Sequence, residues 1–442
     1  MRVPLLKIES SPTLPESADA VVIGAGIVGV FTAYYLAKRG LKVALVEKGL
    51  VGAEQSSRNW GWCRQQNRDA RELPISTKSL ELWERFQAES GENVGFSRCG
   101  LLYLSNDEAE LAGWAKWCDF ARTVNVTSHV LTSEQANERG RATGRNWKGG
   151  IFSPTDGIAD PSRAAPAVAR ALMALGGTVH QSCAARGLET SGGRVSGVVT
   201  EKGTIRTPVA ILSGGAWASS FCRQLGVVFP QASVRSSIVA LAPGAQGIPD
   251  ALHTKDVSVT RRGDGGYTLA ISGYGRLDMT LQGLRFGREF MPMFMKRWRS
   301  LRPGGLEGLR SGHETLSRWA LDKPTPMEKM RILDPSVDEG TAAEIHRRAV
   351  ALMPELGKVD ISAKWAGYID STPDGVPAMG EVHNVPGFIL AAGFSGHGFG
   401  IGPGAGHLLA DIVTGAAEPI VDPRPYSPER FRSSVWGKVA EF

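Results

Sequence analysis

Cysteine is scarce and scattered. Cys63, Cys99, Cys118, Cys183 and Cys222 form no CxxC pair, which argues against a disulfide framework and a thiolate zinc site and points to a reducing compartment. Runs of like charge are absent too. The 50 Lys+Arg residues against 44 Asp+Glu leave a net charge of only +6, so a nucleic-acid partner lacks its electrostatic footprint, although a modest attraction for anionic substrates remains. No apolar run reaches the roughly 18 residues that mark a membrane-spanning helix. The opening stretch MRVPLLKIESSPTLPESAD lacks the unbroken apolar core of a signal peptide. A cytoplasmic protein is expected, with peripheral membrane contact left open. No metal site, internal repeat or low-complexity tract is visible.

Glycine is abundant, at 54 of 442 residues and with no Gly-X-Y period; these glycines read as turns and close backbone approaches. A composition 42% hydrophobic and 21% charged is that of a soluble globular protein. The length exceeds one ordinary core and fits two interleaved domains.

A βαβ unit is written from Asp19 onward. Ala20 to Ile23 reads as a buried strand, Gly24-Ala25-Gly26-Ile27-Val28-Gly29 as a turn, Val30 to Arg39 as a helix stopped by Gly40, and Lys42 to Val46 as a second strand ending at Glu47. In such a GxGxxG, Gly24 permits the tight turn, Gly26 lets the backbone approach a pyrophosphate, and Gly29 lets helix and strand pack closely. The helix N-terminus favours phosphate. Glu47 is placed to accept ribose hydroxyls and to repel a 2′-phosphate. A dinucleotide is therefore expected, but the motif alone does not separate FAD from NAD.

Further along, helices are expected at 76–90, 107–122, 161–176, 284–300 and 341–353. Strands are expected at 100–104, 177–181, 194–200, 204–212, 234–241, 256–261 and 266–271. The texture changes at 226 and the nucleotide-domain texture returns at Trp365. The tail from 417, with Pro419, Pro423, Pro425 and Pro428, reads as a surface segment.

Three further segments carry a family resemblance: Ser56-Ser57-Arg58-Asn59; Thr372-Pro373-Asp374-Gly375 running to Gly380; and Gly393-Phe394-Ser395-Gly396-His397-Gly398-Phe399-Gly400. With the GxGxxG start, the chain resembles the D-amino-acid oxidase superfamily of flavoenzymes, which includes glycine oxidase, monomeric sarcosine oxidase and D-amino-acid dehydrogenases. The resemblance implies an α/β fold in which a Rossmann-type FAD domain (18–90, 150–225 and 365–420) interleaves with an α+β substrate domain on a mixed, mainly antiparallel sheet (91–149 and 226–364). Residues 1–17 and 421–442 would be terminal extensions. It further implies that Gly24, Gly26, Gly29, Glu47 and Lys48 hold the ADP half of FAD. Ser56, Ser57 and Arg58 would meet the pyrophosphate and ribityl chain, Ala185 the adenine, and Gly214, Gly215 and Trp217 the cofactor's neighbourhood. In the loop Gly393, Gly396, His397, Gly398, Phe399 and Gly400, bare backbone would face the flavin ring, with the helix from about Pro403 aimed at it.

Flavin-dependent amine oxidation needs an oriented C–H bond and a polarising site rather than a catalytic base. In part of the family an Arg in a WAGxR segment holds the substrate carboxylate, but this chain reads Trp365-Ala366-Gly367-Tyr368-Ile369. Arg64 is the substitute candidate. His397 is a candidate for ring contact, Tyr267, Tyr274 and Arg276 for pocket walls, and Trp60 and Trp62 for an aromatic cage. FAD is expected to be held non-covalently, because Gly367 stands where one relative has its flavin-linking Cys; Cys63 is the thiol to watch. The expected reaction is oxidation of an amino acid or amine, with oxygen or a respiratory acceptor taking the electrons. A D-amino, cyclic imino or N-alkyl amino acid fits. The alternatives are an amine lacking an α-carboxylate, a flavin-dependent hydroxy-acid dehydrogenase, and a flavin-bearing scaffold subunit.

Overall fold

The computed structural model describes residues 3–432 and 439. Two large sheets organise the chain. The first has six strands in the order Ala378–Glu381, Phe388–Ala392, Ala210–Leu212, Ala20–Ile23, Val43–Val46, Thr178–His180. All pair in parallel except the edge strand Ala378–Glu381. Its central strands are unbroken apolar runs because both faces are covered. Helices Ile27–Lys38, Ala164–Ala174 and Gly402–Thr414 pack on one face; the antiparallel strands Ala185–Ser191, Arg194–Thr200 and Gly203–Arg206 cover the other.

The second sheet has ten strands, among them Leu101–Ser105, Gly149–Ser153, Ala232–Leu241, Ser258–Arg261 and Tyr267–Ala270. It is mixed and mainly antiparallel. Helix Glu339–Leu352 packs on it through Ala342, Ile345 and Ala349.

Several expectations shift. Trp365 does not return the chain to the nucleotide-side sheet: strand Ile361–Ser371 pairs along its length with Ala232–Leu241 in the larger sheet. Gly149–Ser153 also lies in that sheet, against Leu101–Ser105. The run 204–212 splits into Gly203–Arg206 and Ala210–Leu212, because Pro208 lacks the N–H a ladder needs. The first helix starts at Ile27 rather than Val30. The 284–300 helix is two, Leu281–Arg285 and Gly287–Arg297, the second with Pro292 inside and no buried residue. The proline-rich tail is docked as far as 432: Tyr426 is 1% exposed, and Arg430 donates to Asp374 at 3.0 Å. Residues 433–438 and 440–442 of the expected 421–442 extension lie outside the described residues.

Candidate active site

The chain leaves Ala20–Ile23 through Gly24 at φ 101°, a left-handed conformation that glycine adopts freely. A Cβ on Gly29 would stand 1.9 Å from the Gly24 carbonyl oxygen, so the helix seats directly on the turn. Glu47 ties the unit together: its carboxylate accepts the N–H of Ala25 at 2.8 Å and of Gly49 at 2.7 Å. Burial pushes this carboxyl upward, while Lys48 and the two N–H donors oppose that. The Ile27 N–H donates to Ser56 Oγ at 2.8 Å.

These groups open onto a cleft lined by Gly24, Gly26, Glu47, Lys48, Ser56, Arg58, Ala185, Gly214 and Trp217. Trp217 Nε1 and Arg58 Nη2 are buried there with no hydrogen-bond partner among the described residues. Orphaned donors beside a glycine turn fit a dinucleotide's phosphates and linking chain. Two expected ligands sit differently. Lys48 Nζ is committed to Glu54 and to the carbonyls of Met330 and Arg331, and lies 4.8 Å over the Trp217 ring. Ser57 lines neither this cleft nor the cavity beyond it, and its hydroxyl donates to Glu54 O at 3.2 Å. Gly29 acts by packing alone.

Gln55 and Arg58 line both this cleft and a second cavity of about 950 Å³. The Arg58 guanidinium is 1% exposed and fixed by Ala53 O at 3.2 Å, Asp334 at 2.6 Å and Ala366 O at 2.7 Å. Trp60, Trp62, Arg64, Arg68, Tyr274, Ile369, Gly396, His397, Phe399 and Gly400 form much of the remaining wall. Leu284, Phe290, Met291 and Phe294, from the two short helices, also line it.

Several glycines of the C-terminal loop are required by the protein's own packing. A Cβ at Gly393 would meet Thr372 Cγ2 at 2.3 Å, at Gly398 the Phe394 side chain at 2.8 Å, and at Gly400 the Trp62 carbonyl oxygen at 2.8 Å. Gly393 and Gly398 do not line the cavity. These three make room for the protein itself. The helix from Gly402 keeps its dipole, but its first donors are spent: Gly402 N–H goes to Phe399 O, Gly404 N–H to Ser79 Oγ, and Pro403 has none.

His397 is held by a partner that sequence reading missed. Its Nδ1 lies 2.9 Å from Oε2 of Glu72, which is fully buried. Burial first, then the charge of Arg68, holds the imidazole down at about 4 against the opposing pull of Glu72. The ring is therefore neutral near pH 7. Bound to an ionised carboxylate it is the Nδ1–H tautomer, leaving Nε2 as an acceptor. Glu72 stands in the run Arg68-Asp69-Ala70-Arg71-Glu72 before helix Leu73–Ser90. A charged cluster opening a helix reads as a solvated surface, so the signal was there but pointed outward.

Arg64 does reach the cavity, its guanidinium donating to Gln66 O. Ile369 is a wall residue where the family's Arg was sought. Tyr267 is a correction: it is 1% exposed, packs in the core of the larger sheet, and directs its hydroxyl at Ile248 O, 3.4 Å away. Its strand faces it inward, away from the cavity. Arg276 is paired with Asp338 outside the cavity wall. Cys63 is fully buried and off both cavities, with burial pushing its thiol well up.

A family model described as FAD dependent oxidoreductase matches residues 19–412. Glycine oxidase of Pseudomonas putida is 27% identical over 93% of this chain and 99% of its own. Among solved structures, L-amino acid deaminase from Proteus myxofaciens in complex with anthranilate superposes at TM-score 0.93, with 28% identity and 98% of each chain covered. L-proline dehydrogenase from P. horikoshii superposes at TM-score 0.77, with 26% identity over 95% of this chain and 99% of that one.

Proposed function

The chain belongs to the FAD-dependent oxidoreductase family, and from that premise we propose that it oxidises an amino acid bearing a free carboxylate, dehydrogenating its C–N bond to an imine. The relatives it matches over nearly their full lengths include a glycine oxidase and an L-amino acid deaminase, both of which act on amino acids. The observation that carries the amino-acid reading is the cavity itself: its wall joins the dinucleotide cleft at Arg58 and presents Arg64 beside His397.

Bound FAD supplies a two-electron acceptor for the hydrogen on the carbon beside nitrogen. The chain's own residues do the rest. Gly24, Gly26, Glu47 and Ser56 would hold the ADP half, Arg58 and Gln55 stand where the two cavities meet, and Ala185 and Trp217 line the same cleft. Arg64 supplies positive charge for a carboxylate. Trp60, Trp62 and Phe399 exclude water, and His397 offers Nε2 to a substrate N–H while Glu72 fixes its ring.

We read the FAD as non-covalent, since Gly367 cannot link it and Cys63 faces neither cavity. Acid precipitation should leave the flavin in the supernatant; a yellow pellet would refute this. Anaerobic mixing with a panel of amino acids, cyclic imino acids, N-alkyl amino acids and amines tests the activity. Bleaching of oxidised flavin by carboxylate-bearing substrates is expected. Bleaching by simple amines alone would favour the carboxylate-free alternative, which Ile369 motivates.

A further inference from the structure

Arg68 is a buried cation with unmet donors among the described residues. It is 3% exposed, and neither Nε nor Nη1 has a hydrogen-bond partner among the described residues. It lines the large cavity together with Arg64, Asn67 and His397. Asn67, at φ 58°, takes the left-handed turn that brings both arginines to the same wall.

The two carboxylates nearby are already engaged. Glu72 is bound to His397. Asp156 accepts the backbone N–H of Gln65 at 2.8 Å and of Gln66 at 3.0 Å. The only guanidinium bond between this pair of arginines and the rest of the described residues is that of Arg64 to Gln66 O. Burial, and after it the like charge of Arg64, work against the charged form of Arg68, while Glu72, Tyr103 and Asp156 favour it from a distance. A buried guanidinium beside a second one, with donors unmet, is stable only when an anion completes it. The cavity they share is where that anion can sit.

We infer that Arg68, together with Arg64, forms a two-sided clamp for the substrate carboxylate, with Arg68 the specificity-determining member. This rests on the amino-acid reading above. It replaces the single arginine expected from sequence with a pair, and places the buried member four residues further along the chain. Arg64, half-buried and partly satisfied by Gln66 O, steers the anion in. Arg68, with its remaining donors free, fixes it by a planar fork. The clamp also accounts for the apolar residue at Ile369: with the anion held by Arg64 and Arg68, no cation is needed on that strand.

The FAD-loaded full-length protein is titrated with anthranilate and, as the carboxylate-free control, aniline, reading the flavin absorbance change. Anthranilate is expected to bind the wild type more tightly than aniline. Arg68→Met should raise its dissociation constant tenfold or more and leave that of aniline unchanged. Arg68→Lys should recover part of the loss, because charge returns without the fork. A readout independent of flavin is thermal stabilisation by acetate at constant ionic strength, expected in the wild type and lost in Arg68→Met. If Arg68→Met does not fold, Arg68→Lys carries the test, with a rise of threefold or more for anthranilate alone. Equal anthranilate affinity in wild type and both variants overturns the clamp, as does a wild type that binds neither anthranilate nor acetate. Failure to bind FAD, with acetate stabilisation intact and Arg68-dependent, would instead sink the functional reading and leave the anion site standing.

Discussion

His397 and Glu72 lie 325 residues apart in the chain and meet at 2.9 Å, the imidazole of the C-terminal glycine loop docking on a completely buried carboxylate. The contact ties the loop to the start of helix Leu73–Ser90 and fixes which ring nitrogen faces the cavity. Removing the carboxylate leaves a buried N–H without a partner, which costs about 1–3 kcal/mol. Glu72→Ala should lower stability by that order and reduce kcat more than it raises KM, because ring orientation is lost while the rest of the cavity stays. Glu72→Gln should keep most of the stability. Denaturant midpoints and steady-state kinetics on both variants separate these effects; wild-type kcat in Glu72→Ala would remove His397 orientation from the account.

Glu47 has a double task, bracing Ala25 and Gly49 and facing the cleft. Hydrogen bonds to a charged group contribute roughly 1.5–3 kcal/mol, so Glu47→Ala should weaken FAD by about tenfold or more. Some of that loss will come from a loosened glycine turn. Glu47→Gln, which keeps the shape but not the charge, should fall between. Fluorescence titration of apoprotein with FAD measures it; an unchanged dissociation constant in Glu47→Ala would show that the carboxylate serves the turn alone.

At Gly400 a Cβ would stand 2.8 Å from the backbone oxygen of Trp62, an atom that cannot rotate away. The Gly400 carbonyl also accepts the indole N–H of Trp83 at 3.0 Å. Gly400→Ala should therefore destabilise by about 1–3 kcal/mol through overpacking and disturb the cavity wall at Trp62. A thermal melt identical to wild type would show that the loop has slack the geometry does not reveal.

Glu314 lines the same cavity, is 2% exposed, and has one oxygen without a hydrogen-bond partner among the described residues, 3.9 Å from His313 Nε2. Burial pushes its carboxyl up to about 7, with hydrogen bonds from Thr280 and Ser233 opposing. Between the unfolded carboxyl's ordinary value and about 7 the folded state holds the proton more tightly. Stability from this group is therefore fully present below that window and is lost as pH rises through it. Glu314→Gln should flatten this fall, and the difference from wild type should grow by up to about 3 kcal/mol between acid and neutral pH. Parallel pH dependences of the two proteins would contradict the assignment.

The dinucleotide unit was legible because its signals are local. Gly24, Gly26, Gly29 and Glu47 fall within one short βαβ segment, where Gly24 makes the tight turn and Gly29 seats the helix on it, as their spacing implies. The Ile369 departure was legible in the same way, since the strand carrying it is regular. What failed is non-local. Tyr267 is told from a pocket residue only once its strand's facing is known, and that depends on the pairing with Ala232–Leu241. Pairing with that same strand draws Trp365 into the larger sheet. Gly393, Gly398 and Gly400 also answer to Thr372, Phe394 and Trp62, contacts no local pattern encodes. Glu72 and Arg68 read as a charged helix start but are buried: His397 of the C-terminal loop docks on Glu72, and Trp117 donates its indole N–H to the Arg68 carbonyl.

The central claim is removal of hydrogen from the carbon beside nitrogen. Its most direct test is the anaerobic half-reaction with the panel's fastest amino acid, comparing protium with deuterium at that carbon. Bleaching of the oxidised flavin that slows severalfold on deuteration is the predicted result. Bleaching by a hydroxy acid while every amine and amino acid of the panel leaves the flavin oxidised would contradict it.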